Sequence, residues 1–384
     1  MRILALLFCL SLASSLSAQT TLNGTLQSGG LTREYLLYVP AIYNGSTAVP
    51  LVFNLHGYTS NNLAQLFYGD FRGIADTANF LVVVPNGTLD PSGNRFWNTF
   101  NTGSTVDDVG FLADLIDTLE AVYNIDRNRI YSTGMSNGGF MSYALACELN
   151  DRIAAIASVT GSMTTTNLAA CQPNRSVPVM EIHGTADATV PYNGSVQGGF
   201  VAIPTLVAAW VAFNQANPTP TVTQVPNTNT TDGSTAEHYV YSGGDNGSTV
   251  EHYKIIGGGH TWPGAIFNIG VTNRDIDASQ EIWRFFSQYR LDELTANKEP
   301  ITTATNWSAS PNPAHDYLLL QSQGTDATAK RILVYDALGK LIKSVRPALG
   351  EHNIRLETAG WKNGVYVLVI ESDGKAERLR VVKN

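Results

Sequence analysis

The stretch Ile130-Tyr131-Ser132-Thr133-Gly134-Met135-Ser136-Asn137-Gly138-Gly139-Phe140 decides how this chain is read. A β-rich run enters a Gly-x-Ser-x-Gly turn, and a helical pattern continues from Phe140 to Leu149. A serine on such a strand-to-helix turn presents its oxygen at the top of a sheet, and small flanking residues let the backbone pass close by. The pattern alone is permissive in a chain with 34 glycines. A glycine turn whose serine merely caps the helix has the same letters. The strand before and the helix after favour an exposed nucleophile.

Outward from this turn, short β-rich runs at 34–39, 51–55, 80–84, 129–133, 153–159 and 177–182 alternate with helical patterns at 63–78, 108–123 and 138–148. That alternation predicts an α/β architecture, a mostly parallel sheet with helices on both faces. A helix at 204–214, strands at 238–241 and 250–256, and a helix at 277–289 follow. The Thr-, Asn- and Pro-rich segment 217–235 reads as a long surface excursion. After Arg290 the chain turns polar and loses periodicity, so 291–309 is expected to be a linker. Short strands separated by turn residues then predict a small all-β sandwich over 310–384. At the other end, 1–18 has a basic start, an apolar run and a small-residue exit, the pattern of a secretory signal peptide. The expected organisation is therefore leader 1–18, catalytic domain 19–290, linker 291–309 and β domain 310–384.

Composition excludes several classes. A 384-residue chain with 43% hydrophobic residues is not disordered. A net charge of −8 without a Lys/Arg cluster argues against a nucleic-acid partner. No segment after the leader is long and apolar enough for a stable membrane span. Of three cysteines one lies in the leader, leaving Cys147 and Cys171 as one disulfide or two buried thiols. No Cys/His cluster has zinc-ligand spacing, and the sequence calls for no metal and no cofactor.

A serine nucleophile needs a base, and the base needs an acid to fix its tautomer. On this type of sheet the chain order is Ser, acid, His. His183 precedes every plausible acid, His238 and His252 lie within strand patterns, and His315 and His352 fall in the β domain. His260 ends a strand that runs into Gly257-Gly258-Gly259, where a catalytic imidazole is expected. Asp187 follows the strand 177–182 on a loop facing the same rim, whereas Asp232 and Asp245 sit in polar turns. The oxyanion donors are expected to be the backbone N–H groups of Asn137 and of Tyr58, on the loop after strand 51–55. His56 is expected to brace that loop, and Asp107-Asp108 to cap a helix. Trp97 and Trp262 are candidates for an aromatic substrate wall, with plain packing as the alternative.

Several motifs then coincide with a known family. Gly134-Met135-Ser136-Asn137-Gly138-Gly139, His183-Gly184-Thr185-Ala186-Asp187 with Val190-Pro191-Tyr192, and Gly257-Gly258-Gly259-His260-Thr261-Trp262-Pro263-Gly264 resemble the poly(3-hydroxybutyrate) depolymerase and feruloyl esterase family. The resemblance implies an α/β-hydrolase fold of the carbohydrate-esterase type, with Ser136, Asp187 and His260 at the triad positions. It also implies a bridge between Cys147 and Cys171. The tail, with Ser310-Pro311-Asn312-Pro313, Val334-Tyr335-Asp336-Ala337-Leu338-Gly339 and Gly364-Val365-Tyr366-Val367, resembles a type A C-terminal sorting domain of the type IX secretion system. That implies export across an outer membrane and the type IX machinery as a partner. A carbohydrate- or polyester-binding module is the competing reading of the tail. For the whole chain the favoured expectation is a secreted serine esterase acting on feruloyl, aryl or acyl esters of plant polysaccharide. A polyester depolymerase comes next, and a noncatalytic surface adhesin on a hydrolase scaffold is third.

Overall fold

In Val49-Pro50-Leu51-Val52-Phe53-Asn54-Leu55 every residue is buried. Leu51, Phe53 and Leu55 enter one core and Val52 another. Successive side chains on a strand point to opposite faces, so a strand apolar at nearly every position is one covered on both sides. The computed structural model describes residues 19–99, 104–295, 307–322, 329, 331–336, 341–348, 350–372 and 375–384. The expected leader at 1–18 lies outside the described residues, as does most of the expected linker, at 296–306. The chain forms two compact units, Met1–Asn297 and Lys298–Asn384.

The first unit contains strands β1 (Thr20–Ser28), β2 (Leu31–Val39), β3 (Val49–Leu55), β4 (Leu81–Pro85), β5 (Thr88–Leu89), β6 (Arg95–Phe96), β7 (Ile125–Met135), β8 (Ala155–Val159), β9 (Val179–Gly184), β10 (Thr221–Gln224), β11 (Thr235–Tyr241) and β12 (Val250–Ile256). Its helices are α1 (Asn62–Tyr68), α2 (Arg72–Ala78), α3 (Asp108–Glu120), α4 (Asn137–Glu148), α5 (Thr165–Ala170), α6 (Ile203–Phe213), α7 (Ala278–Phe286) and α8 (Leu291–Thr295). All strands except the β5–β6 hairpin join one sheet in the order β1-β2-β4-β3-β7-β8-β9-β12-β11-β10. Pairing is parallel from β4 through β12 and antiparallel at both flanks. Residues of α3, α4 and α6 pack in the core on one face, and residues of α1, α2 and α7 in the core on the other. This is the α/β architecture expected from the alternation of strands and helices. Because β3, β7, β8, β9 and β12 run parallel, their carboxyl ends share one edge, where open sheets of this class place their ligands.

Three local expectations are corrected. The helix expected over 63–78 is two helices: α1 stops at Gly69, whose carbonyl accepts from the buried Asn54 Nδ2 at 2.7 Å. The excursion at 217–235 contains β10, exposed at all four of its residues. The linker is narrower than 291–309. Residues Leu291–Thr295 form α8, which buries Leu294, and Trp307–Ser310 is already a strand of the second unit. Sequence reasoning passed over β1 because an exposed edge strand such as Thr20-Thr21-Leu22-Asn23-Gly24 carries no apolar alternation. Short or polar edges also discourage pairing with other chains.

The second unit has β13 (Trp307–Ser310), β14 (Tyr317–Ser322), β15 (Arg331–Asp336), β16 (Leu341–Val345), β17 (Asn353–Glu357), β18 (Gly364–Ser372) and β19 (Lys375–Lys383). They form two small sheets, β13-β14-β17 and β16-β15-β18-β19. Trp307, Leu318, Leu320, Ile332, Leu368 and Val381 help fill the core of this β-rich unit. Trp361 packs against Tyr366, ring centroids 4.7 Å apart and planes tilted by 41°, so these two rings do not make a flat platform for a sugar or polymer.

Cys147 and Cys171 are joined as a disulfide across a sequence separation of 24, tying the end of α4 to the residue after α5. Closing a loop of that length restricts the unfolded chain by about 3.5 kcal/mol in the chain-entropy account. The double variant Cys147→Ser, Cys171→Ser is expected to lose about 3 kcal/mol in urea unfolding, and added reductant should then have no further effect.

Candidate active site

Ser136 lies between the last residue of β7 and the first of α4, with φ 54° and ψ −119°. A non-glycine residue held there carries strain on the order of 1–3 kcal/mol, which persists only where the surroundings over-determine it. Here the Ser136 N–H donates to the Val159 carbonyl at 2.8 Å, and its own carbonyl accepts from Phe140 N at 3.0 Å. Its side chain makes no capping bond to α4, which argues against the helix-cap alternative. The glycine after Asn137 has a steric cause: a β-carbon at Gly138 would lie 2.2 Å from the Leu55 carbonyl oxygen.

Asp187 and His260 come from the loops after β9 and β12, and the structure brings them together: His260 Nδ1 lies 2.7 Å from Asp187 Oδ2. The Asp187 side chain is fully buried and that of His260 one-fifth exposed. Thr189 N and Val190 N both donate to Asp187 Oδ1 at 2.8 Å, fixing the carboxylate plane. Burial works against the Asp187 charge, but bonds from His183 and His260 overcome it and hold its proton affinity well below the usual carboxylate range. The two loops are also tied by backbone bonds, Thr185 N to the Ile255 carbonyl at 2.8 Å and Ala186 N to the Gly258 carbonyl at 2.9 Å. Gly184 is needed at this junction, since its β-carbon would fall 2.2 Å from the Gly258 oxygen.

The expected oxyanion donors sit on the elbow and on the loop beside it. A β-carbon at Gly57 would lie 3.4 Å from the Ser136 β-carbon, so the loop carrying Tyr58 touches the serine. Among the described residues no hydrogen-bond acceptor meets the N–H of Tyr58 or of Asn137. His56 braces the loop: its Nδ1 lies 2.7 Å from the Gly57 carbonyl, and Gly87 N donates to Nε2 at 3.0 Å. Burial pushes its pKa down to about 4, so the ring is neutral at working pH.

The two tryptophans are corrected. Trp97 is completely buried, with Nε1 donating to the His56 carbonyl at 3.0 Å. Trp262 is 1% exposed, stands edge-on to Phe71 and donates to Ser279 Oγ at 3.2 Å. Neither offers a face to a substrate; loop sequence does not reveal which side of a loop faces the core. The side chain of Asn137 was missed. It is buried and locks the Trp97–Thr99 segment to the elbow, accepting from Trp97 N at 2.6 Å and donating to Thr99 Oγ1 at 2.8 Å. Asp107 caps α3 as expected, accepting from Gly110 N at 2.7 Å. Asp108 does not cap; its carboxylate pairs with Arg33 at 2.6 Å and accepts from Asn98 N at 2.8 Å, both partners of the ion pair nearly inaccessible.

The comparisons now bear on this geometry. Residues 104–198, which span the elbow and Asp187, match the family described as Phospholipase/Carboxylesterase, and 308–384 match the Secretion system C-terminal sorting domain. Feruloyl esterase C of Emericella nidulans is 30% identical over 52% of this chain and 68% of its own length. The chain belongs to the feruloyl esterase family. The bifunctional acetylxylan esterase/xylanase XynS20E of Neocallimastix patriciarum is 29% identical over 76% of this chain. The probable feruloyl esterase C of Aspergillus clavatus is 32% identical over 45% of it. The chain spans 39% of the first of these two relatives and 61% of the second. Among solved structures, the acetyl xylan esterase from Aspergillus awamori superposes with a TM-score of 0.50 at 16% identity, covering 70% of this chain and 99% of that one. That likeness establishes the fold of this feruloyl esterase relative as an α/β hydrolase.

Two variants test the scaffold. Arg33→Met is expected to cost about 3–5 kcal/mol in denaturant unfolding, because it strands Asp108 as a buried unpaired carboxylate. Gly138→Ala is expected to leave a folded protein whose Ser136 no longer reacts with a fluorophosphonate, since the elbow has to move to admit the methyl group.

Proposed function

We propose that this protein is a secreted serine carboxylesterase that hydrolyses feruloyl or acetyl esters of plant polysaccharide. The observation that carries the reading is the short Asp187–His260 bond on the rim that also holds the strained Ser136. Membership of the feruloyl esterase family and the activities for which its relatives are named, feruloyl and acetylxylan esterase, support this substrate class.

In this reading His260, oriented by Asp187, takes the Ser136 hydroxyl proton as that oxygen attacks the ester carbonyl. The tetrahedral oxyanion is held by the N–H groups of Asn137 and Tyr58, each lowering the barrier by about 2.7–4 kcal/mol. The proton passes from His260 to the departing alcohol, leaving an acyl group on Ser136. Water, deprotonated by the same imidazole, then releases the carboxylic acid and restores the serine. The leader at 1–18 and the sorting unit support export through a type IX pathway to the surface or medium.

A polyester depolymerase is the second reading. It is favoured by the exposed apolar residues Ile266, Phe267 and Ile269 on the loop that follows His260. The deciding assay sets ferulate release from methyl ferulate and acetate release from acetylated xylan against clearing of a poly(3-hydroxybutyrate) suspension. Release without clearing is expected; clearing alone would reverse the assignment. Ser136→Ala should lower ester turnover by about 10⁶-fold while leaving the unfolding midpoint unchanged. A wild-type serine inert to a fluorophosphonate would instead support a noncatalytic adhesin.

A further inference from the structure

Behind the Asp187–His260 pair lies a second, wholly buried set of polar groups. Glu181 and His183 sit on alternate residues of β9, and neither side chain has any accessible surface. His183 Nδ1 is 2.8 Å from Glu181 Oε1. Its Nε2 is 2.8 Å from the Val190 carbonyl oxygen and 3.4 Å from Asp187 Oδ2. Glu181 Oε2 accepts from the Tyr143 hydroxyl, on α4, at 2.7 Å. A carbonyl oxygen only accepts, so Nε2 carries a hydrogen. The Tyr143 hydroxyl already donates to Glu181, which is the arrangement of a carboxylate, and a carboxylate facing Nδ1 asks for a hydrogen there too.

We propose that His183 is a positioning residue, a buried imidazolium that Glu181 keeps protonated and that holds Asp187 ionised and oriented toward His260. Two carboxylates in a dry interior without a cation between them would be costly, and one imidazolium shared by both relieves that cost. Burial pushes the Glu181 carboxyl upward, and hydrogen bonds from His183 and Tyr143 pull it back; of the groups packed on the cluster, two tyrosines and a further imidazole carry no charge near neutral pH. Tyr143 and Tyr192 are pushed upward by burial, and His252, whose Nδ1 faces the Glu181 carbonyl at 2.9 Å, is pushed down to about 4. Burial opposes the His183 charge, but hydrogen bonds to Asp187 and Glu181 outweigh it and lift the group to about 9.

The consequence reaches the reaction through His260. Asp187 faces His260 Nδ1 with a negative charge, and a cation behind Asp187 offsets part of that charge. Neutralising His183 therefore leaves the Asp187 charge without that offset and is expected to move the acid limb of kcat/KM to higher pH. Through-space charge alone makes the two obvious substitutions act oppositely, because one removes a positive and the other a negative charge behind Asp187. The proposal makes them act alike, because without Glu181 the ring of His183 loses its proton.

The inference rests on the assignment of Ser136, Asp187 and His260 as the triad, and its first test does not use activity. In ¹⁵N-histidine-labelled full-length wild-type protein at pH 8, one imidazole is expected to show both nitrogens protonated. His238 and His260, the other histidines facing a buried carboxylate (Glu251 Oε2 and Asp187 Oδ2, each at 2.7 Å), are removed in turn as His238→Gln and His260→Gln, and the signal should persist in both. Absence of any doubly protonated ring, or its loss in either variant, overturns the proposal while leaving the triad assignment intact. The second test compares pH profiles of kcat/KM. His183→Gln is expected to move the acid limb upward by about one pH unit, and Glu181→Gln upward by less, because the lost carboxylate offsets part of the lost cation. Shifts of opposite sign overturn the linked proton, and a Ser136→Ala variant with full activity overturns the triad instead. Should either buried variant fail to fold, the wild-type spectrum decides.

Discussion

The Asp187 carboxylate is the point through which the polar chemistry of the hydrolase unit passes. It has no accessible surface, yet one oxygen receives two backbone N–H groups and the other faces two imidazoles. Burying a charge is costly unless its bonds replace those of water, and here each lone-pair direction meets a donor. The loops after β9 and β12 are consequently fixed to each other by the bonds that hold the charge. Their glycines at 184 and 258 are the places where one backbone presses on the other. Removing that carboxylate would do more than unseat an imidazole, because the junction of the two loops is built around it.

The parallel centre of the sheet makes such a meeting possible. Residues far apart in sequence arrive at one edge because five neighbouring strands point the same way. The elbow is then held by a contact too close for any side chain, Gly138 against the Leu55 carbonyl. Strain at Ser136 is sustained by rigid neighbours on both sides, Val159 of β8 and the Asn137 amide clamp on Trp97–Thr99.

Much of this was legible in the sequence, and the exceptions have physical causes. The strand runs and the meeting of Asp187 with His260 follow from local patterns joined to a rule of chain order. Burial of Trp97 and Trp262 was not legible, since a loop tryptophan next to a catalytic motif is equally compatible with facing outward or inward. The Glu181–His183 pair was hidden for another reason. Two polar residues at alternate positions of a strand normally signal a solvent face, and only the helices covering both sides of the sheet turn that face into an interior. The one-residue difference between Asp107 and Asp108, cap and ion pair, depends on Arg33 from β2, which no local pattern connects to α3.

The two units each build a core from their own residues, the smaller one around Trp307, Leu318 and Ile332. Each core is closed by buried side chains of its own unit. Among the described residues, the hydrolase sheet depends on no buried side chain of the tail, so the likeness to an esterase and the likeness to a sorting domain rest on separate cores.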